Sequence, residues 1–423
     1  MTVVRVTTGE RLVSETMPNG LKVFVMEKPA FQRKYAVLAT KYGSMDSKFQ
    51  VVGEEVCEVP DGIAHFLEHK MFEEEDGHVF ERFSQFGASV NAYTSYTMTS
   101  YLFSTIDCFA QALQELLRFV RTPYLTAENV KKEKGIIEQE LRMYDDHPDR
   151  RIYRNLLSAL YHEHPIRLNV GGTVESIAKI DVERLMQCYN TFYQPTNMAL
   201  FVVGDVEGSA VVDLVNQATA DWFDRSKKVQ RIYPDEPLGI KQDKIEQSIN
   251  ISQPRYYLGF KDQVRGEGKD LLKQQLAMAM IWRSVATKSS PIFTDLYAQG
   301  IIDDSFGASF SGTPQYAFSV VGGETDNPEK LDRCLRKAID TLKKKKLTAD
   351  TVERLKRRSL GNYLASFNSL DYIANSFLAH EFNGTSLLDF PSLLQSLTID
   401  DVNSALEHGL DWDKAAISLL YPE

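Results

Sequence analysis

The second half of the sequence repeats short motifs of the first half in the same order. Residues 86–89 (FGAS) recur as 306–309, and residues 125–127 (LTA) recur as 347–349, each about 220 residues later. The Asp-Val pair at 181 recurs at 401, and the apolar run around Ala199 recurs around Ala416. We therefore predict an α+β fold of two duplicated α/β-roll domains, each of roughly 210 residues with a largely antiparallel sheet and helices.

The stretch His-Phe-Leu-Glu-His, residues 65–69, is the strongest chemical feature of the chain. On a helix, His65 and His69 are four residues apart and project from one face about 6 Å from each other. Two neutral imidazoles suit Zn²⁺, and Glu68 can then take a proton from a metal-bound water. This order of residues is the inverted zincin motif. The alternative is a solvated helix face, because the pattern also arises by chance.

A third ligand is sought in the run 131–141 (KKEKGIIEQEL), because a catalytic zinc needs three protein ligands and an open position. Glu133 and Glu140 are seven residues apart and share one face of a predicted helix, whereas Glu138 lies on another face. Any of the three carboxylates could instead be solvated helix surface. Spacing alone does not choose among them.

The halves differ in chemistry. In the second half, the stretch that corresponds to the motif helix is 281–293, which carries no His. Residues 206–250 are rich in charged and polar side chains. We predict a zinc-bearing catalytic domain at 1–220, a linker at 221–250 and an inactive duplicate at 251–423. Two similar halves joined by a linker lead us to expect a clamshell half with the site facing the gap.

Apolar periodicity and turn residues place the other elements. A polar loop is predicted at 45–62, and Thr126 is predicted to cap a long helix with Asn129 three residues on. We predict strands at 21–28, 35–44, 88–95, 100–106, 197–206 and 254–260. We predict helices at 63–71, 78–86, 107–121, 125–146, 151–165 and 180–193.

Composition limits the partners and the compartment. The net charge of −10 argues against nucleic acid as the main partner, because phosphate binding needs clustered Lys and Arg. No apolar run approaches the roughly 20 residues that span a bilayer, and the amino terminus lacks a secretory pattern. The four cysteines are scattered, which disfavours disulfides and fits a reducing cytoplasm. We therefore expect a cytoplasmic protein whose zinc ligands are His and carboxylate.

Several stretches together resemble the pitrilysin/insulinase family of zinc metallopeptidases, over nearly the whole chain. They are residues 62–72 (GIAHFLEHKMF), residues 87–94 (GASVNAYT), Glu133, Glu140 and the halved architecture. Within that family, three runs resemble chains of Gram-positive bacteria: residues 133–149, 164–177 and 368–377.

The resemblance implies a role for each residue that matches the family motif. His65, His69 and Glu140 would be the zinc ligands. Glu68 would be the general base that activates the zinc-bound water, and Glu133 would be an accessory catalytic carboxylate. These assignments come from the resemblance and not from spacing.

The resemblance also implies how a peptide binds. The strand around Asn91 and Ala92 would be the sheet edge to which an extended peptide adds as a further strand. Family members that work alone or as homodimers usually carry an Arg and, seven residues later, a Tyr in the second half. Here Tyr297 stands at the Arg position, and the Tyr position falls near Asp303 or Asp304. We therefore expect a heterodimer in which a zinc-less paralogous subunit supplies the Arg-Tyr pair.

The sequence predicts a zinc-dependent endopeptidase that cleaves short or unfolded peptides. Enclosure between two halves would exclude folded proteins by size. The alternative is a non-catalytic scaffold or a peptide-binding subunit of a peptidase-like complex. Scaffold relatives generally lose parts of the zinc constellation, whereas His65, Glu68, His69 and Glu140 are all present here.

Overall fold

The computed structural model describes residues 1–6, 9–75, 77–225 and 227–423. Ser226 of the predicted linker, and Thr7, Thr8 and Asp76 of the predicted catalytic domain, lie outside the described residues. The chain forms two compact units that interleave along the sequence. The first unit comprises Met1–Leu141, Asn169–Tyr233 and Leu364–Phe382; the second comprises Arg142–Leu168, Pro234–Tyr363 and Asn383–Glu423.

The described residues form strands and helices in both units. The strands are β1 Thr2–Arg5, β2 Arg11–Thr16, β3 Lys22–Glu27, β4 Lys34–Thr40, β5 Lys48–Val51, β6 Val56–Glu58, β7 Glu73–Glu74, β8 Gly77–His78, β9 Ser89–Thr94, β10 Thr99–Thr105, β11 Met198–Gly204, β12 Val229–Arg231, β13 Lys244–Ile249, β14 Arg255–Asp262, β15 Gly307–Gly312, β16 Ala317–Glu324 and β17 Ala415–Pro422. The helices are α1 Ile63–Lys70, α2 Val79–Gln85, α3 Phe109–Phe119, α4 Ala127–Asp145, α5 Pro148–Leu160, α6 Val174–Ile177, α7 Val182–Phe192, α8 Gly208–Ala218, α9 Lys269–Ala286, α10 Pro291–Ala298, α11 Pro328–Lys345, α12 Ala349–Ser366, α13 Leu370–Phe382, α14 Phe390–Ser396 and α15 Ile399–Gly409. Among the described helices, none is both long enough and apolar enough to cross a membrane.

The first unit is built on a seven-stranded sheet in the order β1-β2-β3-β11-β4-β10-β9. The strands β3 and β11 run parallel, and the other neighbours are antiparallel. Every residue of β11 is buried, as its uninterrupted apolar sequence predicts. The strand β9 is the last in this order, so it pairs within the sheet only with β10.

The second unit repeats this plan in a five-stranded sheet, β13-β17-β14-β16-β15. Its one parallel pair, β13 with β17, corresponds to β3 with β11, and its antiparallel pairs follow in the same order. The repeated FGAS motif precedes or enters β9 in one half and β15 in the other. The predicted duplicated α+β fold is therefore confirmed.

Each half of the sequence contributes one helix to the other unit. From the first half, α5 packs on β14 and β17 of the second unit, where Leu156 lies directly over Gly259. From the second half, α13 packs on β4 and β11 of the first unit, where the ring of Phe377 lies 4.7 Å from those of Phe24 and Phe201. The predicted ranges 1–220, 221–250 and 251–423 stay a prediction of where the repeated halves and the linker lie. They differ from the two compact units because those units are interleaved along the chain.

One loop prediction is wrong. The stretch 45–62, predicted as a polar loop, contains β5 and β6, which form a small sheet with β12. The strand β12 and the strand β13 lie in the range 221–250, the predicted linker. A buried ion pair fixes this sheet, since Asp46 accepts from Arg231 Nε at 2.9 Å and from the Tyr233 hydroxyl at 3.0 Å. The polar composition of 45–62 gave no sign of strands. The partner of β5 is β12, which lies far along the chain, so the pairing has no local signal either.

Glu236 fastens a loop within the second unit. Its carboxylate accepts the amide N–H groups of His162, Glu163 and His164 at 2.7–2.9 Å and also pairs with the buried Lys261. Burial alone would raise the pKa of Glu236, but the Lys261 ammonium and these amides lower it from 4.5 to about 2. Glu236 therefore stabilises the folded state in its ionised form.

We expect Glu236→Gln to lower the unfolding free energy by about 2–3 kcal/mol at pH 7. Because the folded-state pKa lies below the unfolded one, this contribution is present above about pH 4.5 and is lost as the pH falls toward 2. Urea unfolding at pH 7 and pH 3 should show the gap between variant and parent narrowing. Glu54→Gln, at an exposed pair with Lys227, should change stability by less than about 0.5 kcal/mol.

Candidate active site

The helix α1 presents the two histidines of the HFLEH motif on one face. Its apolar residues, Ile63, Ala64, Phe66 and Leu67, are buried in the core of the first unit. His65 and His69 remain partly exposed, and their ring centroids are 4.5 Å apart. The predicted helix, with both histidines on one face, is thus confirmed.

The helix α4 brings the carboxylates to these histidines. Two reciprocal hydrogen bonds fix the start of this helix. Thr126 Oγ1 accepts from the Asn129 N–H at 3.1 Å, and Asn129 Oδ1 accepts from the Thr126 N–H at 2.9 Å. This is a capping box with Asn in place of the usual Glu or Gln, and it confirms Thr126 as the predicted cap. The capped helix carries Glu133 and Glu140 on the face that meets α1.

Three side chains converge to form a set that can hold a metal. The candidate ligand atoms of His65, His69 and Glu140 all lie within 4.8 Å of one another, and no other such group occurs within the described ranges of the chain. His65 Nε2 lies 3.8 Å and His69 Nε2 3.4 Å from the nearer Glu140 oxygen. Two imidazole nitrogens and one carboxylate are a donor set that fits catalytic zinc. Glu138, on the same helix, is not part of this group.

Glu133 lies behind His69 rather than among the three converging groups. Its Oε1 is 3.0 Å from His69 Nδ1, and its Oε2 faces Lys70 Nζ at 3.7 Å. Burial alone lowers the pKa of His69, but Glu133 and Glu140 together raise it to about 10. Burial likewise opposes ionisation of Glu133, yet His69 and Lys70 hold its pKa below the usual range. Glu133 is therefore an ionised group in direct contact with His69.

Glu68 projects from α1 toward the strand β9. It is only 7% exposed, and its Oε2 accepts a hydrogen bond of 2.6 Å from Thr94 Oγ1. Burial raises the pKa of Glu68 to about 7, against the opposing effects of Thr94 and His69. A carboxylate with a pKa near neutrality suits general acid–base chemistry. Sequence reasoning gave Thr94 no role, although it is the last residue of the strand beside the motif.

Asn91 and Ala92 lie in the middle of β9, at the edge of the seven-stranded sheet. Their partners on β10 are Leu102 and Tyr101, so one side of β9 is occupied by the sheet. Asn91 is exposed, and its Oδ1 accepts the Ala92 N–H at 2.9 Å. An edge strand of this kind is where an extended peptide can add.

The residues at the expected Arg and Tyr positions lie in the second unit. Tyr297 is on α10, is 50% exposed, and stacks on Phe293 with centroids 5.8 Å apart. Asp303 lies in the following turn, and Asp304 pairs with Lys288 at 2.8 Å. None of the three is an Arg that could bind a peptide carbonyl by itself.

The start of α1 depends on a glycine. Gly62 caps the helix with φ of 87°, and a Cβ there would lie 2.3 Å from the Gly171 carbonyl oxygen. We expect Gly62→Ala to lower the unfolding free energy. The backbone conformation alone accounts for about 1–3 kcal/mol, and the contact with Gly171 adds to it. Gly135→Ala is the control: Gly135 lies within α4 with nothing near its Cβ position, so it should stabilise by about 0.5–1 kcal/mol. Chemical unfolding of both variants tests this, and equal effects would contradict it.

Sequence comparison places both halves of the chain in one family. The family model described as Insulinase (Peptidase family M16) matches residues 57–174. The model described as Peptidase M16 inactive domain matches residues 179–359. The zinc protease YmfH of Bacillus subtilis (strain 168) is 40% identical over 420 residues, which cover 98% of this chain and 97% of that protein.

Solved structures agree with this assignment. A putative M16-like peptidase from Alicyclobacillus acidocaldarius superposes with a TM-score of 0.96 at 34% identity, covering 99% of this chain and 100% of that one. Pitrilysin shares the fold, with a TM-score of 0.77 at 15% identity, and the match covers 100% of this chain and 46% of that one. This chain belongs to the M16 peptidase family, the pitrilysin/insulinase family of zinc peptidases, and resembles its YmfH-type members.

Proposed function

We propose that this chain is a zinc-dependent endopeptidase that cleaves short or unfolded peptides. The observation that carries the proposal is the convergence of His65, His69 and Glu140 beside the buried carboxylate of Glu68. Relatives named as zinc proteases, which match nearly the whole chain or most of it, support the same class of activity.

His65, His69 and Glu140 would hold the zinc ion. When bound, zinc polarises the scissile carbonyl and lowers the pKa of a water molecule at its open position. Glu133 would keep His69 oriented, with Nδ1 donating to the carboxylate and Nε2 directed toward Glu140. This assigns Glu133 an accessory role in the site.

Glu68 would act first as the general base and then as the general acid. One of its carboxylate oxygens takes a proton from the attacking water, and the same group later delivers it to the leaving amine nitrogen. Thr94 donates to Oε2 at 2.6 Å and so restricts rotation of the carboxylate. The raised pKa of Glu68 suits a group that both accepts and releases a proton near neutral pH.

The peptide would bind at the edge strand β9. An extended segment adding beside Asn91 and Ala92 would use main-chain hydrogen bonds, which accept many sequences. The strand ends at Thr94, which contacts Glu68, so a peptide on this edge would pass close to the proton acceptor. A requirement for extended backbone would favour short or unfolded substrates.

We further propose that the working enzyme is a heterodimer in the cytoplasm. Tyr297, Asp303 and Asp304 stand where an Arg-Tyr pair is expected, and a zinc-less paralogous subunit would supply that pair. The same departure supports the second candidate function. The isolated chain would then be a zinc-binding, peptide-binding subunit without activity of its own.

Metal analysis and a fluorogenic peptide assay test these proposals together. The purified chain should contain about one zinc per molecule and lose it to a chelator. Cleavage should be low for the chain alone, should rise when a zinc-less paralogue is added, and should disappear on chelation. Full activity of the chain alone would contradict the heterodimer. Zinc binding without cleavage under any of these conditions would favour the peptide-binding subunit.

A further inference from the structure

The lysine that follows the HFLEH motif is wholly enclosed by protein. Lys70 is the last residue of α1, and its exposure is 0%, although Lys is among the residue types that are rarely buried. A buried ammonium is destabilising unless charged or polar partners surround it. The partners of Lys70 therefore indicate what it does.

Three groups surround the Lys70 ammonium. Its Nζ pairs with the Glu73 carboxylate, lies 3.5 Å from the Asn129 carbonyl oxygen and faces Glu133 Oε2 at 3.7 Å. Two of these groups belong to α4, so Lys70 joins the helix of the histidines to the helix of the carboxylates. The side chain therefore packs against α4 and does not reach solvent.

The two oxygens of Glu133 have separate partners. Oε1 is 3.0 Å from His69 Nδ1, whereas Oε2 faces Lys70. An imidazole at one oxygen and an ammonium near the other favour this orientation of the carboxylate. His69 is then kept with Nδ1 toward Glu133 and Nε2 3.4 Å from Glu140. Groups that orient a metal-binding histidine in this way contribute measurably to metal affinity.

We propose that Lys70 is a positioning residue of the zinc site, acting through Glu133 on His69. This inference rests on the proposed zinc-binding function. It adds a residue that lies outside the three converging groups. The contacts run from Lys70 through Glu133 to His69, which would be a zinc ligand.

Zinc affinity, measured by competition with a chromophoric chelator at fixed pH, tests the proposal without using activity. We expect Lys70→Met to weaken zinc binding about ten- to hundredfold, and Glu133→Gln to weaken it by a similar factor. The double variant should bind no more weakly than Glu133→Gln alone, because both changes interrupt the same contact chain. Multiplying effects would overturn the proposed route through Glu133.

A matched control separates positioning from stability. Lys28 is also a buried, ion-paired lysine of the first unit, held by Glu10. Lys28→Met should reduce the unfolding free energy without changing zinc affinity. If Lys70→Met behaves in the same way, Lys70 is only a structural ion-pair partner and the proposal is overturned.

Two further comparisons keep the result interpretable. If Lys70→Met does not fold, the double variant leaves no unpaired charge at Glu133 and can still be compared with Glu133→Gln. A tenfold difference between those two would overturn the proposal. Absence of zinc binding by the parent chain, or binding that His65→Ala leaves unchanged, would instead refute the proposed zinc site itself.

Discussion

Glu68→Gln is expected to lower peptide cleavage by about 10²–10⁴-fold while zinc remains bound. The factor is the usual contribution of a positioned general acid–base group. Gln keeps the size of the side chain, and its carbonyl oxygen can still accept the hydrogen bond that Thr94 donates at 2.6 Å. The variant loses only the ability to take a proton from water and return it to the leaving amine.

Zinc content must be measured with activity. Glu68 is not among the three converging groups, so metal stoichiometry and affinity should match those of the parent. Both proteins should be assayed with the same fluorogenic peptide, with and without a zinc-less paralogue. Normal cleavage by the variant would refute Glu68 as the proton acceptor. Loss of zinc together with activity would mean that Glu68 contributes to metal binding.

The local elements of the fold could be predicted from the sequence because their signals are local. The helix that carries His65 and His69 shows its apolar face directly, and the Thr126 cap precedes a regular helical pattern. The duplication is visible as well, since matching motifs recur at a nearly constant offset. The matching strand orders of the two sheets then follow from a common ancestor fold.

What the sequence did not reveal depends on contacts between distant segments. The strands β5 and β6 lie in a polar stretch and are completed by β12, which follows much later in the chain. The packing of α5 and α13 on sheets from the other half of the sequence has no local signature, because the sequence of a helix does not specify which sheet it covers. Phe377 shows its role only where it meets Phe24 and Phe201.

The candidate site likewise contains residues that the sequence identifies and residues that only the folded structure reveals. The HFLEH motif identified its own three polar residues, but spacing left Glu133, Glu138 and Glu140 equivalent as candidates. Only the resemblance separated them, and their roles as ligand and accessory group stay proposals. Thr94 and Lys70 were overlooked because a Thr at a strand end and a Lys at a helix end are ordinary surface choices. Their contacts with Glu68 and Glu133 are a property of the packed unit.

Three of the four glutamates of α4, namely Glu133, Glu138 and Glu140, offer the most discriminating test of the metal site. Glu140→Gln should weaken zinc binding by more than the ten- to hundredfold expected for Glu133→Gln, because it removes one of the three proposed ligands. Peptide cleavage should fall below detection in the Glu140 variant. Glu138→Gln should leave both zinc affinity and cleavage unchanged, since Glu138 is outside the converging group.

The three substitutions are chemically identical and lie on one helix, so general effects on α4 cancel in the comparison. Unfolding of the zinc-free proteins shows whether any substitution disturbs the helix itself. The predicted order of zinc affinity is parent and Glu138→Gln first, then Glu133→Gln, then Glu140→Gln. If Glu133→Gln proved weaker than Glu140→Gln, Glu133 would be the ligand. The 3.0 Å contact between Glu133 and His69 Nδ1 would then have to rearrange when zinc binds.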